Sequence, residues 1–353
     1  MRIENEVKLD FNDVLLRPKR STLESRKQVS LEREFIFRNG NTYKGIPIIA
    51  ANMDGVGTPN IACKLKQLGL FTCLIKSLTK RDLQNIFYEY DIANNTAITI
   101  GVSDSEVNKF LEVCSFLNND DNKWIQYVCI DVANGYTKKL ADVVRKIRKK
   151  LPYINIIAGN VVTAEMVEEL LLAGADIIKV GIGSGAVCTT RIKTGVGYPQ
   201  FSSIAECADA AHGLGGHIIS DGGCCNSGDV AKAFGAGADF VMLGSMLAGH
   251  DEGGGEVIEE DGKKVVQFYG MSSKTANEKH FGGLMDYRTS EGRTVHIPYK
   301  GKIADTVQDI LGGVRSACTY VGAKELKHLS KCATFIRVNN THNTTLEKYT
   351  ISH

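Results

Sequence analysis

The chain has 353 residues, 43% hydrophobic and 23% charged, with 42 Lys and Arg against 40 Asp and Glu and a net charge of +2. This balance excludes a strongly basic nucleic-acid surface and an acidic tail, and no uncharged apolar run reaches the roughly 18 residues of a membrane-spanning helix. Ten cysteines without a Cys-x-x-Cys pair, and no apolar leader after Met1-Arg2-Ile3, point to a soluble protein of the reducing cytosol.

In chain order, residues up to about 40 are expected as an N-terminal arm. Strands are predicted at 47–52, 70–75, 97–102, 125–131, 154–160, 176–181, 216–221 and 238–244. Their near-continuous Val, Ile, Leu and Ala suits strands buried on both faces of a parallel sheet. Helical periodicity fills the intervals at 59–68, 80–90, 105–117, 137–150, 164–173, 201–213 and 228–234, and a last helix fits 303–321. Asp104 and Thr163 are the expected N-caps of two of them. Eight strand–helix units predict an α/β fold, a single (β/α)8 TIM barrel over 1–353 rather than an open doubly wound sheet.

Two connections are oversized: the loop after strand six and the segment 245–302 after strand eight. Loops that follow barrel strands build the working face, so these two are the expected functional parts. Within the second, about 250–300 is an insertion. It begins with a hairpin over 257–268 around Asp261-Gly262, followed by a flap over 269–298 above the barrel mouth. A C-terminal tail is expected at about 338–353.

The loop after strand six reads Gly181-Ile182-Gly183-Ser184-Gly185-Ala186-Val187-Cys188-Thr189-Thr190-Arg191. Glycines at alternate positions expose backbone amides, which suit phosphate, and carbonyls, which suit a monovalent cation. Cys188 lies in a polar loop beside two hydroxyls and Arg191, the setting of a nucleophilic rather than a structural thiol. Asp221-Gly222-Gly223 and Gly244-Ser245 end strands seven and eight, where barrels repeatedly bind phosphate, and Asp221 can take a ribose diol. Lys179, between Ile178 and Val180, fits a structural lysine better than a Schiff-base one. Glu291, on the flap, is by itself a solvated charge that could transfer protons.

These segments resemble the IMP dehydrogenase/GMP reductase family. The loop over 181–191 is similar to the family's catalytic loop. Its reductase branch is matched by Lys193-Thr194-Gly195-Val196-Gly197-Tyr198-Pro199-Gln200, by Asp131-Val132-Ala133-Asn134-Gly135 and by Phe268-Tyr269-Gly270-Met271-Ser272-Ser273. The likeness runs from Lys8-Leu9-Asp10-Phe11 to Thr334-Phe335-Ile336-Arg337, without room for the regulatory pair of most IMP dehydrogenases. Tyr287 precedes Arg288, the order of the reductase flap. Ser184 replaces the family's usual Pro, Gly55 its usual Thr, and Ile75 and Ser77 the His residues that commonly flank Lys76.

The resemblance implies NADPH-dependent reductive deamination of GMP to IMP in a cytosolic homotetramer, without nucleic-acid or membrane partners. It makes Cys188 the nucleophile, with Thr190 and Glu291 handling the proton of the departing nitrogen. Asp221, Gly222, Gly223, Gly244 and Ser245 would hold ribose and phosphate; Gly270, Met271, Ser272, Arg288, Thr289, Ser290 and Gly292 would embrace the base. Asp131, Val132, Ala133, Lys76, Ile182, Gly183 and Tyr287 would contact NADPH, as would Ser316, Ala317, Cys318 and Thr319, with Ser25 and Arg26 reaching it from a neighbouring subunit. Carbonyls of Gly183, Gly185 and Cys188, with Arg191 nearby, would form a potassium loop. The rival readings are an IMP dehydrogenase without its regulatory domain, a Schiff-base lyase using Lys179, and a catalytically silent nucleotide sensor.

Overall fold

The computed structural model describes residues 1, 3–117, 125–283 and 289–339. Eight parallel strands close into a barrel: β1 (Ile48–Ala50), β2 (Phe71–Cys73), β3 (Thr96–Ile100), β4 (Tyr127–Asp131), β5 (Asn155–Val161), β6 (Ile177–Val180), β7 (His217–Asp221) and β8 (Phe240–Leu243). Closure comes from β8 pairing with β1, Val241 opposite Ile48. Every predicted strand is present, one or two residues shorter at most ends, because the flanking residues turn into loops before they can pair. The strands are buried almost throughout, which is why each reads as an unbroken apolar run.

Helices alternate with the strands: α1 (Pro59–Gln67), α2 (Lys80–Glu89), α3 (Asp104–Leu117), α4 (Lys138–Lys150), α5 (Ala164–Ala173), α6 (Gln200–Gly213), α7 (Ser227–Gly235) and, after the long insertion, α8 (Ile303–Val321). Their starts follow local capping chemistry. Thr58 accepts the Ile61 amide ahead of Pro59, and Thr79 and Asp82 cap one another reciprocally. One predicted cap moves: Asp104 is already helical, and Ser103 Oγ accepts the Glu106 amide while donating to the Glu106 carboxylate. Thr163 holds the N-cap position of α5 without a capping bond, its hydroxyl accepting instead from Tyr136.

Part of the N-terminal segment plugs the barrel. Strands Arg33–Ile36 and Thr42–Gly45 form an antiparallel hairpin. Phe35 stacks on Phe240 at 4.4 Å between centroids, and Tyr43 and Phe37 meet Phe71 and Tyr127 edge-on. Phe240, Phe71 and Tyr127 each begin a strand, so the hairpin closes the N-terminal end and leaves the opposite end open. Val14–Leu16 pairs antiparallel with Phe335–Arg337, and Leu16 and Phe335 lie against Gly235 at the end of α7.

The insertion after β8 contains the expected hairpin, Val257–Glu260 with Lys263–Tyr269. Asp261 (φ +50°) and Gly262 (φ +72°) supply the two left-handed residues that a two-residue turn requires. A third strand, Thr294–Pro298, and a helix, Lys274–Phe281, were not separated from the flap in the sequence.

Candidate active site

The open end of the barrel gathers Asp131, Asp221, the Gly-rich loop after β6 and the flap. Loop and flap are stitched together by backbone. Thr189 N–H donates to the Glu291 carbonyl (2.8 Å), Arg293 N–H to Val187 (2.9 Å) and Glu291 N–H to Ser272 (3.3 Å). Arg293 also caps the Ala186 carbonyl through its guanidinium. A short helix, Thr190–Thr194, begins immediately after this junction. The Glu291 peptide is thus held on both sides, and its side chain is aimed at the start of that helix.

Three side chains form a continuous chain there. The Cys188 thiol donates to Thr190 Oγ1 at 3.2 Å, and the Thr190 hydroxyl donates to Glu291 Oε2 at 2.7 Å. Thiol, hydroxyl and carboxylate in series define a path along which a proton moves between sulfur and carboxylate. Residues 101 positions apart meet only because the flap folds over the barrel.

The turn at the tip of β7 is shaped by Gly222 (φ +93°) and Gly223 (φ +86°), consecutive left-handed residues. A Cβ on Gly222 would stand 2.6 Å from Ser184 Oγ. Ser184 in turn donates to the Asp221 carbonyl (3.2 Å), fastening the Gly-rich loop to β7. Gly244 leads into a single 3-10 turn, Ser245–Leu247, and a Cβ there would press on Met53.

Charge at the mouth is organised by Lys179. Its side chain is only 2% exposed, and its ammonium reaches Asp131 (2.6 Å) and Asp221 (3.2 Å). Burial alone would lower the Lys179 pKa, but the two carboxylates outweigh it and hold the ammonium well above the ordinary lysine value. Burial would likewise raise Asp131, but Lys179 and Lys76 hold it below the usual carboxylate range. Asn160 donates to the same Asp221 oxygen that Lys179 meets, at 2.8 Å. An amine clasped between two carboxylates is not in the setting of a Schiff-base nucleophile.

Two further anchors went unread in the sequence. Asp10 binds Arg191 at 3.1 Å and accepts the Gln200 amide at 3.0 Å, gripping the middle and the far end of the loop after β6. Asp54, in the loop after β1, accepts Tyr269 Oη (2.6 Å) and His280 Nε2 (2.7 Å) and lies 3.3 Å from Lys279. Burial would raise its carboxyl, yet these partners hold it below the ordinary range. Neither role can be read from the residues around it, because each acts on a segment far away in sequence.

The IMP dehydrogenase/GMP reductase domain model matches residues 8–348. The chain belongs to that family. It is 57% identical over 345 residues to the GMP reductase of Caenorhabditis elegans, covering 97% of this chain and 95% of the relative. The GMP reductases of Aliivibrio salmonicida and Phytophthora infestans are also 57% identical, covering 97% of this chain and 98% and 94% of their own lengths.

Against the family's pattern, the structure brings Cys188, Thr190 and Glu291 together. It sets Ser272, Ser290 and Gly292 within the same backbone junction, with the Ser290 hydroxyl donating to the Gly292 carbonyl. Tyr287 and Arg288 lie outside the described residues. The expected dinucleotide contacts fall into two groups. Lys76, which donates to the Asp131 carbonyl at 3.0 Å, and Gly183 lie at the mouth. Arg26 and Ser316 line a groove of about 510 Å³ between the N-terminal segment and α8. Arg26 and Ser316 therefore share one groove of a single chain. Cys318, in the same segment, has its side chain fully buried on the inner face of α8, where burial pushes the thiol up to about 12.

The carbonyls expected to hold a monovalent cation fit that use. Among the described residues nothing donates to the Gly183 or Cys188 carbonyl, and Gly185 accepts only the Cys188 amide at 3.0 Å. Arg191 lies against Gly183 and Gly197, where a Cβ on either would meet its Cγ at 2.6 Å. No group of three His, Cys, Asp or Glu side chains suited to a metal ion occurs among the described residues.

Proposed function

We propose that this chain is a GMP reductase, converting GMP, NADPH and two protons into IMP, NADP⁺ and ammonium in purine nucleotide interconversion and salvage. The observation that carries this reading is the Cys188–Thr190–Glu291 hydrogen-bond chain, found in a chain similar to GMP reductases along nearly its whole length.

The residues support a balanced sequence. The Cys188 proton passes through Thr190 to Glu291, and the thiolate adds to purine C2. Amide ion cannot leave, so Glu291 returns its proton through Thr190 to the 2-amino group, which departs as ammonia. The covalent thioimidate left on Cys188 is then reduced at C2. NADPH, when bound, supplies that hydride. Expulsion of the thiolate yields IMP, and one proton from solvent restores the thiol while another converts ammonia to ammonium.

The other assignments belong to the same proposal. Asp221, Gly222, Gly223, Gly244 and Ser245 hold GMP by ribose and phosphate, and Asp131, Lys76 and the Arg26–Ser316 groove contact NADPH. The carbonyls of Gly183, Gly185 and Cys188 would hold potassium, bracing the loop that carries the nucleophile. The working form is a cytosolic homotetramer.

The deciding experiment follows the nicotinamide absorbance band with purified protein. NADPH should be consumed when GMP is added, with IMP and ammonium formed in equal amounts. Nucleotide reduction driven by IMP, with no oxidation of NADPH by GMP, would make the protein a dehydrogenase instead.

A further inference from the structure

Lys179 is a fully buried cation that the proposed chemistry does not use. Its nitrogen lies within 3.2 Å of one oxygen from Asp131, at the end of β4, and one from Asp221, at the end of β7. These strands are on different sides of the barrel, separated by β5 and β6. Asn52 Oδ1 approaches the same ammonium at 3.5 Å from the end of β1. All the described bonds to the Asp221 carboxylate fall on Oδ2, which leaves Oδ1 for a ligand. Both carboxylates are partly open to the mouth, at 27% and 22% exposure, while the lysine beneath them is at 2%.

We infer that Lys179 is a positioning residue shared by the two nucleotide subsites, one buried ammonium fixing the ribose-binding Asp221 and the cofactor-facing Asp131 in place. This rests on the functional reading above. Without the ammonium, two partly buried carboxylates lose the cation that bridges them, leaving Lys76, on the Asp131 carbonyl, as the neighbouring positive charge. One of them then takes up a proton or swings away, and both subsites lose their alignment. A residue that merely filled the barrel would be replaceable by an uncharged side chain of its own length.

The full-length protein tests this with three variants: Lys179→Met, Lys179→Met/Asp131→Asn and Lys179→Arg. Calorimetric binding of GMP and of NADPH should weaken roughly tenfold or more in Lys179→Met. In the double variant, removing one of the opposed carboxylates should return GMP affinity to within about threefold of the parent while NADPH binding stays weak. Lys179→Arg should bind both nucleotides more tightly than Lys179→Met. Unchanged binding by Lys179→Met, or a double variant no tighter for GMP than the single, overturns the inference. If the parent binds neither nucleotide, the functional reading fails, and thermal melting judges Lys179 separately. The double variant must then melt above Lys179→Met, and a lower or equal melting point sinks the role.

Discussion

Sulfur, hydroxyl and carboxylate at the flap junction divide the work in ways that single substitutions separate. On the proposed mechanism Cys188→Ala removes the sulfur that bonds to C2, so turnover should fall by roughly 10⁴-fold or more. GMP binding, measured by calorimetry, should persist, because the contacts proposed for phosphate and ribose come from the ends of β7 and β8. Full activity in Cys188→Ala would contradict covalent catalysis. Glu291→Gln keeps an oxygen able to accept from Thr190 but cannot carry a proton. Deamination should slow roughly 10²- to 10⁴-fold, and rapid-quench measurement should show hydride transfer affected far less. Equal slowing of both half-reactions would remove Glu291 from the acid's role. Cys188 was legible in the sequence because a thiol among alternate glycines and hydroxyls has few structural uses. Glu291 was not legible from its own surroundings, Ser290 and Gly292, and gains meaning only from a contact 101 residues away.

Elements were readable in proportion to how much their own residues determine them. The eight strands and eight barrel helices carry continuous apolar runs or strong amphipathic stripes, and their positions hold to within a few residues. The helix Lys274–Phe281 shows the opposite case. Of its described side chains only Ala276 and Asn277 are buried, so it presents no apolar stripe to read. It is held from outside instead, by Asp54 on Tyr269 and His280. Hydrogen bonds to a buried carboxylate contribute about 1.5–3 kcal/mol each, enough to decide whether the flap stays docked. Asp54→Asn should therefore raise the KM for GMP several-fold and speed limited proteolysis within 274–283, with the melting point of the barrel little changed. Unaltered proteolysis would show that the flap is docked by other contacts.

At the scale of the whole molecule, stability depends on the plugged end of the barrel. Phe35 is 3% exposed and packs on Phe240, Tyr43 and His217. Phe35→Ala should destabilise the fold by about 3–5 kcal/mol in denaturant titration. The same end holds a titrating cluster: His212 Nε2 donates to Asp239 Oδ2 at 2.8 Å, and Arg33 meets the other oxygen at 3.2 Å. The hydrogen bond to Asp239 raises the His212 pKa above its ordinary 6.5. Its stabilisation is then complete below that value and fades as pH climbs through the raised one. Asp239 shifts the opposite way. Burial would raise its carboxyl, but His212 and His217 hold it far below the ordinary range. Its contribution is present above the normal carboxylate pKa and is lost only in strong acid. The melting-point deficit of His212→Asn should be largest near pH 6 and narrow by pH 9, and a constant deficit across that span would exclude the ion pair.

The plug also governs the order in which the polypeptide can mature. Phe35 leaves the ribosome some two hundred residues before Phe240, and β1 equally far ahead of β8, yet each needs its late partner to be covered. Contacts so distant along the chain are slow to form. A nascent chain halted before residue 240 would display the bare aromatic face of its hairpin and an unmatched β1 edge. That interval of vectorial synthesis is where shielding by a chaperone matters most.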